Sequence, residues 1–135
     1  MSDTLGRSSV LALTMGEPAG VGGELTLRAW VANRKSGTAF VTIDNVERLQ
    51  ALAEKLQIDV RIRNIDDPAD AGSIFPDALP VLNILLPHAP TPGTPTPDTA
   101  PAVIASIETA VRLALEGHVA GIVTNPIQKP TLYAA

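Results

Sequence analysis

An α/β domain with a mainly parallel sheet is the fold class this sequence predicts, and two observations predict it. Short runs of β-forming residues alternate along the chain with segments whose apolar residues recur at helical spacing. The first apolar run also leads into a turn carrying Gly16, Gly20, Gly22 and Gly23, and a helical pattern follows at once. A strand, a glycine-rich turn and a helix N-terminus in that order place several backbone N–H groups where an anion or a cofactor edge can sit.

Residues 10–14 (Val-Leu-Ala-Leu-Thr) form the first buried strand. Residues 24–33 form a helix with Leu25, Leu27, Ala29, Trp30 and Val31 on its apolar side, and Asn33 and Gly37 are its stop signals. Residues 39–43 (Ala-Phe-Val-Thr-Ile) are a second strand. Asp44-Asn45 then caps a helix over 46–56, whose Val46, Leu49, Leu52, Ala53 and Leu56 share one face. Residues 60–65 alternate apolar and polar side chains, as a strand with one wet face does, and 66–80 read as loop. A fourth strand is expected over 81–86. Residues 87–101 carry Pro87, Pro90, Pro92, Pro95, Pro97 and Pro101 among threonines, a composition that excludes a central strand and predicts a semi-extended connector. Thr99 or Pro101 opens a helix with Val103, Ile104, Ile107, Ala110, Val111, Leu113, Ala114 and Leu115 on its core side, and Gly117 closes it. Residues 121–124 are a fifth strand, Asn125-Pro126 turns the chain, and another helix begins after Ile127.

At 135 residues the chain has the size of one domain, and its 45% apolar content with only 3% aromatics predicts an aliphatic core. A net charge of −4 and a pI near 5.0, with scattered basic residues, argue against nucleic acid or an anionic membrane as partner. The absence of cysteine removes disulfides, thiolate metal sites and cysteine nucleophiles, and two histidines are too few for a histidine cage within these residues. Asp3 stands where a signal peptide needs a basic region, and no apolar run nears the ~18 residues of a membrane span. A soluble cytoplasmic protein is the expectation.

Functional groups of a parallel sheet gather at the C-terminal ends of its strands, which singles out residues 16–23 and 124–129. Neither generic nucleotide motif fits the first loop. In G-x-G-x-x-G register Gly20 and Gly22 match, but the third position is Leu25; no Lys-Ser/Thr follows the glycines as a P-loop needs. Asp44, at the end of the second strand, sits where a ribose-binding acid belongs and makes the incomplete fingerprint look better than it is. Glu17, beside Pro18 and near a helix N-terminus, is a carboxylate that can meet a cation, a hydroxyl or a lysine, or simply stand in a surface turn.

The segment Thr14-Met-Gly-Glu-Pro-Ala-Gly-Val-Gly-Gly-Glu24 resembles the opening motif of the 4-hydroxythreonine-4-phosphate dehydrogenases of pyridoxine biosynthesis. Ile122-Val-Thr-Asn-Pro-Ile-Gln-Lys129 is similar to the same family's Thr-x-Pro-Ile/Val-x-Lys segment. Both motifs fall in the family's order and at its spacing. Gly23 departs from the family pattern, which usually has proline there, and Gln128 occupies a variable position. The resemblance implies an isocitrate-dehydrogenase-like α/β/α architecture of two subdomains, assembled as a homodimer whose sites draw on both subunits. It implies oxidation by NAD (or NADP) of the secondary alcohol of 4-phosphooxy-L-threonine, followed by decarboxylation to 3-amino-2-oxopropyl phosphate. It also implies a divalent metal (Zn, Mg or Co) held by histidines that lie beyond the position matching Ala135, as does a Gly-His-Thr-Glu segment. Members of the family run to about twice this length or more. Residues 1–135 are therefore expected to be the N-terminal portion of a two-subdomain enzyme, inactive alone, with 87–101 as a connector inside it.

Within this reading Lys129 is the catalytic candidate, a point charge able to meet a phosphate or carboxylate. Glu17, Gly20, Gly22, Thr124 and Asn125 are candidates for binding substrate or cofactor, and no residue here is a metal ligand. The competing reading of Asn125 is a turn residue that satisfies backbone groups. His88 and His118 read as solvated or structural, Trp30 and Tyr133 as packing groups. Two other functions fit the same residues: a dehydrogenase of the same family acting on another phosphorylated hydroxy acid (D-threonate or D-erythronate phosphate), and a non-catalytic module binding a phosphorylated metabolite.

Overall fold

The computed structural model describes residues 9–35 and 37–130. Tyr133 and the end of the helix expected after Ile127 lie outside them. In chain order the elements are β1 (Leu11–Thr14), α1 (Gly22–Asn33), β2 (Phe40–Asp44), α2 (Val46–Leu56), β3 (Ile62–Asn64), α3 (Ala71–Ile74), β4 (Leu79–Asn83), α4 (Ala100–Leu115) and β5 (Gly121–Val123), with 3₁₀ turns at Pro68–Asp70 and Pro97–Thr99. The strands form one sheet in the order β3-β4-β2-β1-β5, every pairing parallel.

Right-handed crossovers dictate which face each helix covers. From β1 through β2 to β3 the chain moves toward one edge of the sheet, and α1 and α2 lie together on one face. There Leu27, Trp30, Leu49 and Ala53 pack on Leu13, Phe40, Leu79 and Val81. The chain then reverses through β4 to β5, and α3 and α4 cover the opposite face. Ala71, Ala110 and Leu113 meet Ala12, Val41 and Ile43 there. Central β2 is consequently buried at every residue. Trp30 donates its indole N–H to Phe75 O at 2.8 Å, and the Phe75 ring stands edge-on to Phe40 with centroids 4.9 Å apart.

Helix α2 has the expected bounds for the expected reason. The Asn45 side chain accepts the Arg48 N–H at 2.8 Å, Glu47 and Lys55 complement the helix dipole, and Gln57 closes the helix at φ +55°. Helix α4 follows Pro97–Thr99 directly and ends at Gly117, whose φ of +79° suits a residue without Cβ. Other elements depart from expectation. Helix α1 begins at Gly22, two residues early; β2 is shifted one residue on; β3 keeps only Ile62–Asn64 at the sheet edge; and β5 ends one residue early, at Val123. β4 begins at Leu79 and so contains Pro80. Leu79 donates its N–H toward β3, to Arg61 O, so Pro80 faces β2, where the ladder starts only at Val81 opposite Thr42. The register aims position 80 at Phe40 O, so the proline removes the rung at the start of the β2–β4 ladder and breaks none within it. Within the expected loop 66–80, a 3₁₀ turn and the four-residue α3 intervene. No helix among the described residues is long and apolar enough to cross a membrane.

Candidate functional site

Strands β1 and β5 lie side by side in parallel, Leu13 opposite Val123, so the loops leaving their C-terminal ends emerge together. From β1 the chain leaves toward β2 across one face of the sheet, and β5 is reached from β4 across the opposite face. This is the point where a doubly wound sheet opens a crevice. The two motifs singled out in the sequence, 14–24 and 122–129, are these two loops.

They are stitched to one another. Glu17 donates its N–H to Pro126 O at 2.8 Å. Asn125, buried, donates its side-chain N–H groups to Thr14 O and to Thr26 Oγ1, each at 2.9 Å, and its own N–H to Thr14 Oγ1 at 3.3 Å. The approach is so close that only glycine fits at two positions. At Gly16, φ +67°, a Cβ would stand 2.7 Å from both Asn125 Cβ and Pro126 O; at Gly22 it would stand 2.9 Å from Met15 O. From the opposite face Ser106 of α4 joins the ends of β1 and β2. Its hydroxyl donates to Ile43 O at 2.6 Å and accepts the Met15 N–H at 3.0 Å.

The structure therefore gathers Glu17, Gly22 and Asn125 into one packed junction. The Glu17 carboxylate, itself buried, accepts the Ala19 N–H at 2.9 Å, and Glu17 O accepts the Gly20 N–H at 3.0 Å, which folds the loop back on itself. Thr124 and Lys129 stand exposed on the segment after β5. Gly20, also exposed, lies instead at the mouth of a separate groove of about 880 Å³. Gly20, Val21, Arg48 and Leu52 line one side of it; Leu86, His88 and Pro90 line the other.

The second wall belongs to the proline-rich segment, which is more folded than its composition predicts. Gly93 donates its N–H to Ala19 O at 2.9 Å, Thr91 and Thr94 bridge a tight turn, and residues 97–101 are already helical. His88 is partly exposed, with its Nε2 2.9 Å from Asp98 Oδ2, and Thr96 donates its hydroxyl to the same carboxylate. Bonding to the Ala89 backbone and to Asp98 holds the imidazole above its ordinary pKa. Hydrogen bonds from Thr96 and His88 hold Asp98 below its own.

Arg48 is the residue that sequence reasoning missed. Its place in α2 puts it off the apolar face, which reads as solvent-facing, yet its side chain is 4% exposed. The guanidinium forks onto Asp44, Nε to Oδ1 at 2.8 Å and Nη2 to Oδ2 at 2.9 Å, and also donates to Pro18 O and Met15 O at 3.2 Å each. The one available signal was the acid–base pair at i, i+4 across the helix start. Asp44 is fully buried; burial pushes its carboxyl up, against the pull of Arg48 and the Asn45 N–H. Sealed in this way, Asp44 presents no carboxylate to a ribose. Among the described residues no group of three or more His, Cys, Asp or Glu is placed to hold a metal. The side chains present thus fit neither a dinucleotide fingerprint nor a metal cage.

Residues 36–135 match the family described as "Pyridoxal phosphate biosynthetic protein PdxA". The chain is 44% identical over 128 residues to a 4-hydroxythreonine-4-phosphate dehydrogenase of Caulobacter vibrioides, covering 95% of this chain and 37% of that protein. It is 38% identical over 125 residues to the enzyme of the same name from Xanthobacter autotrophicus, covering 92% of this chain and 35% of that one. Among solved structures, a 4-hydroxythreonine-4-phosphate dehydrogenase from Burkholderia phymatum superposes with a TM-score of 0.85 at 26% identity, over 93% of this chain and 38% of that one. The Klebsiella pneumoniae enzyme superposes with a TM-score of 0.81 at 29% identity, over 95% of this chain and 40% of that one. The chain thus spans little more than a third of the length of these relatives. With a family match over most of its residues and the same parallel α/β fold as its solved relatives, this chain belongs to the PdxA family of pyridoxal phosphate biosynthetic proteins.

Proposed function

We propose that this chain supplies one wall of the substrate cleft of a dehydrogenase that oxidises 4-phosphooxy-L-threonine with NAD or NADP and a divalent metal, the product decarboxylating to 3-amino-2-oxopropyl phosphate. The observation that carries the reading is the stitching of the two motif loops at the C-terminal ends of β1 and β5. Among the described residues no group of three or more His, Cys, Asp or Glu is placed to hold the metal. What these residues do is hold and orient. Lys129, exposed beyond the junction, offers an ammonium to the phosphate or carboxylate of the substrate. Thr124, also exposed, offers a hydroxyl. Glu17, Gly22 and Asn125 set the shape of the wall, and Gly20 keeps the loop's outer side open. The assembled enzyme acts as a homodimer in this reading.

The test is NADH formation from 4-phosphooxy-L-threonine with zinc or magnesium, measured on this chain and on a chimera joining it at Ala135 to the remainder of the Caulobacter vibrioides relative. The chimera is expected to turn over and its Lys129→Ala variant to lose at least about a hundredfold in kcat/KM, the scale of one charge-assisted contact made in the transition state. Undiminished turnover of that variant removes Lys129 from the site. A folded chimera that oxidises D-threonate or D-erythronate phosphate in preference overturns the substrate assignment.

A further inference from the structure

The glycine-rich loop between β1 and α1 has buried carbonyls that no strand or helix satisfies, and a single side chain reaches two of them. Met15 O and Pro18 O stand on either side of Gly16-Glu17, and both accept from the Arg48 guanidinium at 3.2 Å. The other edge of the fork is anchored on Asp44 at the end of β2. A guanidinium is planar and its donors keep fixed directions, so engaging three acceptors at once fixes their relative positions.

Room for it comes from α1. A Cβ on Gly23 would stand 2.8 Å from Arg48 Nη1 and 2.7 Å from Leu52 Cδ2. The departure at residue 23 thus acquires a physical reason: where the resembled family usually carries proline, this chain leaves a space and the Arg48 fork fills it.

We infer that Arg48 is a positioning residue for the cleft wall: through Met15 O and Pro18 O it fixes the loop that carries Glu17 and Gly20, and Gly23 is the small residue that admits it. Its bearing on turnover rests on the dehydrogenase reading; its effect on the loop does not. A purely structural role would make Arg48 the charge partner of buried Asp44 and nothing more. Lysine separates the two roles. An ammonium can neutralise Asp44 as a point charge but cannot span the carboxylate and both carbonyls.

The experiment is amide hydrogen exchange with urea denaturation on the chain and its Arg48→Lys, Arg48→Met and Gly23→Ala variants. The amides of Glu17, Ala19 and Gly20 report the loop, because they donate to Pro126 O, Glu17 Oε2 and Glu17 O. The amides of Ala12 and Val41 report the sheet. For Arg48→Lys the expected result is a lowered denaturation midpoint, because buried carbonyls lose their donors, with the three loop amides accelerating about tenfold or more beyond any change in the sheet amides, the factor one charge-assisted hydrogen bond carries. Gly23→Ala is expected to loosen the same three amides by displacing Nη1 from Pro18 O. Arg48→Met removes both roles, and its failure to fold leaves the lysine result to decide. Loop amides that stay protected in Arg48→Lys, or that accelerate only in step with the sheet amides, overturn the inference. In the folded chimera, Arg48→Lys is expected to lower kcat/KM about tenfold, whereas a parent chimera without turnover removes the dehydrogenase reading and leaves the exchange result standing.

Discussion

Replacing Asn125 by alanine tests whether the junction of the two loops is a structural clamp. The side chain donates to Thr14 O and Thr26 Oγ1 in a buried setting. Two hydrogen bonds contribute about 1 kcal/mol each, and the stranded Thr14 carbonyl adds a desolvation cost, so Asn125→Ala is expected to destabilise the chain by about 2–4 kcal/mol. With a urea slope of about 1–1.5 kcal/mol/M for a domain of this size, the midpoint falls by roughly 2 M. Fluorescence of Trp30, the sole tryptophan and 2% exposed, follows the transition. Asn125→Asp sharpens the test, because a carboxylate there accepts where two donors are required. Burial among acceptors raises the folded pKa of the introduced group above its unfolded value of about 3.9, so the protonated form favours the folded state. Stability of that variant is therefore highest below about pH 4 and declines as pH rises through the raised pKa, a trend the alanine variant lacks. A loss below about 0.5 kcal/mol for Asn125→Ala, within the range of ordinary surface substitutions, refutes the clamp and returns Asn125 to the role of a free ligand contact.

Two further outcomes are expected. Gly16→Ala must both hold a positive φ and move Pro126 O, so it should cost well over the ~1–2 kcal/mol of a left-handed residue alone, whereas Gly117→Ala, with nothing within 4 Å of its Cβ position, should cost only that; thermal denaturation of the pair decides, and equal losses contradict the close approach. The raised pKa of His88 and the lowered pKa of Asp98 confine their ion pair to a window. Its contribution is present where His88 is charged and lost as pH rises through the raised His88 pKa; at the acid end it is lost as pH falls through the lowered Asp98 pKa. Following the His88 ring protons by NMR, Asp98→Asn should move the titration midpoint back toward about 6.5, and an unmoved midpoint excludes the pair.

Where local chemistry decides an element alone, the sequence was a sufficient guide. Helix α2 is bounded by the Asn45 cap and a one-faced apolar pattern, and α4 by Pro101 and Gly117, so both ends of each are written in adjacent residues. Gly22 and Gly23 were legible as a turn but not as helix, because what lets them be helical is distant: Met15 O, Asn125 and Arg48 crowd against them. Pro80 conceals the start of β4, since only the register with β2 shows that its missing N–H falls at the first rung of the ladder and not inside it. The four residues of α3 are too few to show a period. The two loops were visible as strand-end motifs, yet the division of labour within them was not. Asn125 gives its side-chain N–H groups to Thr14 and Thr26, and Arg48 turns inward from a polar position, both consequences of tertiary contacts that no periodicity encodes.

The clamp joins residues 111 positions apart in the chain, Thr14 and Asn125, and 99 apart, Thr26 and Asn125. Strands β1, β2 and β4 can pair through closer neighbours, but the two loops cannot be joined until Asn125 and Pro126 have been synthesised. During translation Arg48 can already hold Met15 O and Pro18 O, while the Glu17 N–H and the Asn125 acceptor Thr14 O must wait for their partners. Closing so long a span is entropically slow. The junction of the two loops is accordingly expected to be the last part of this unit to acquire its native shape, on the ribosome and in refolding alike.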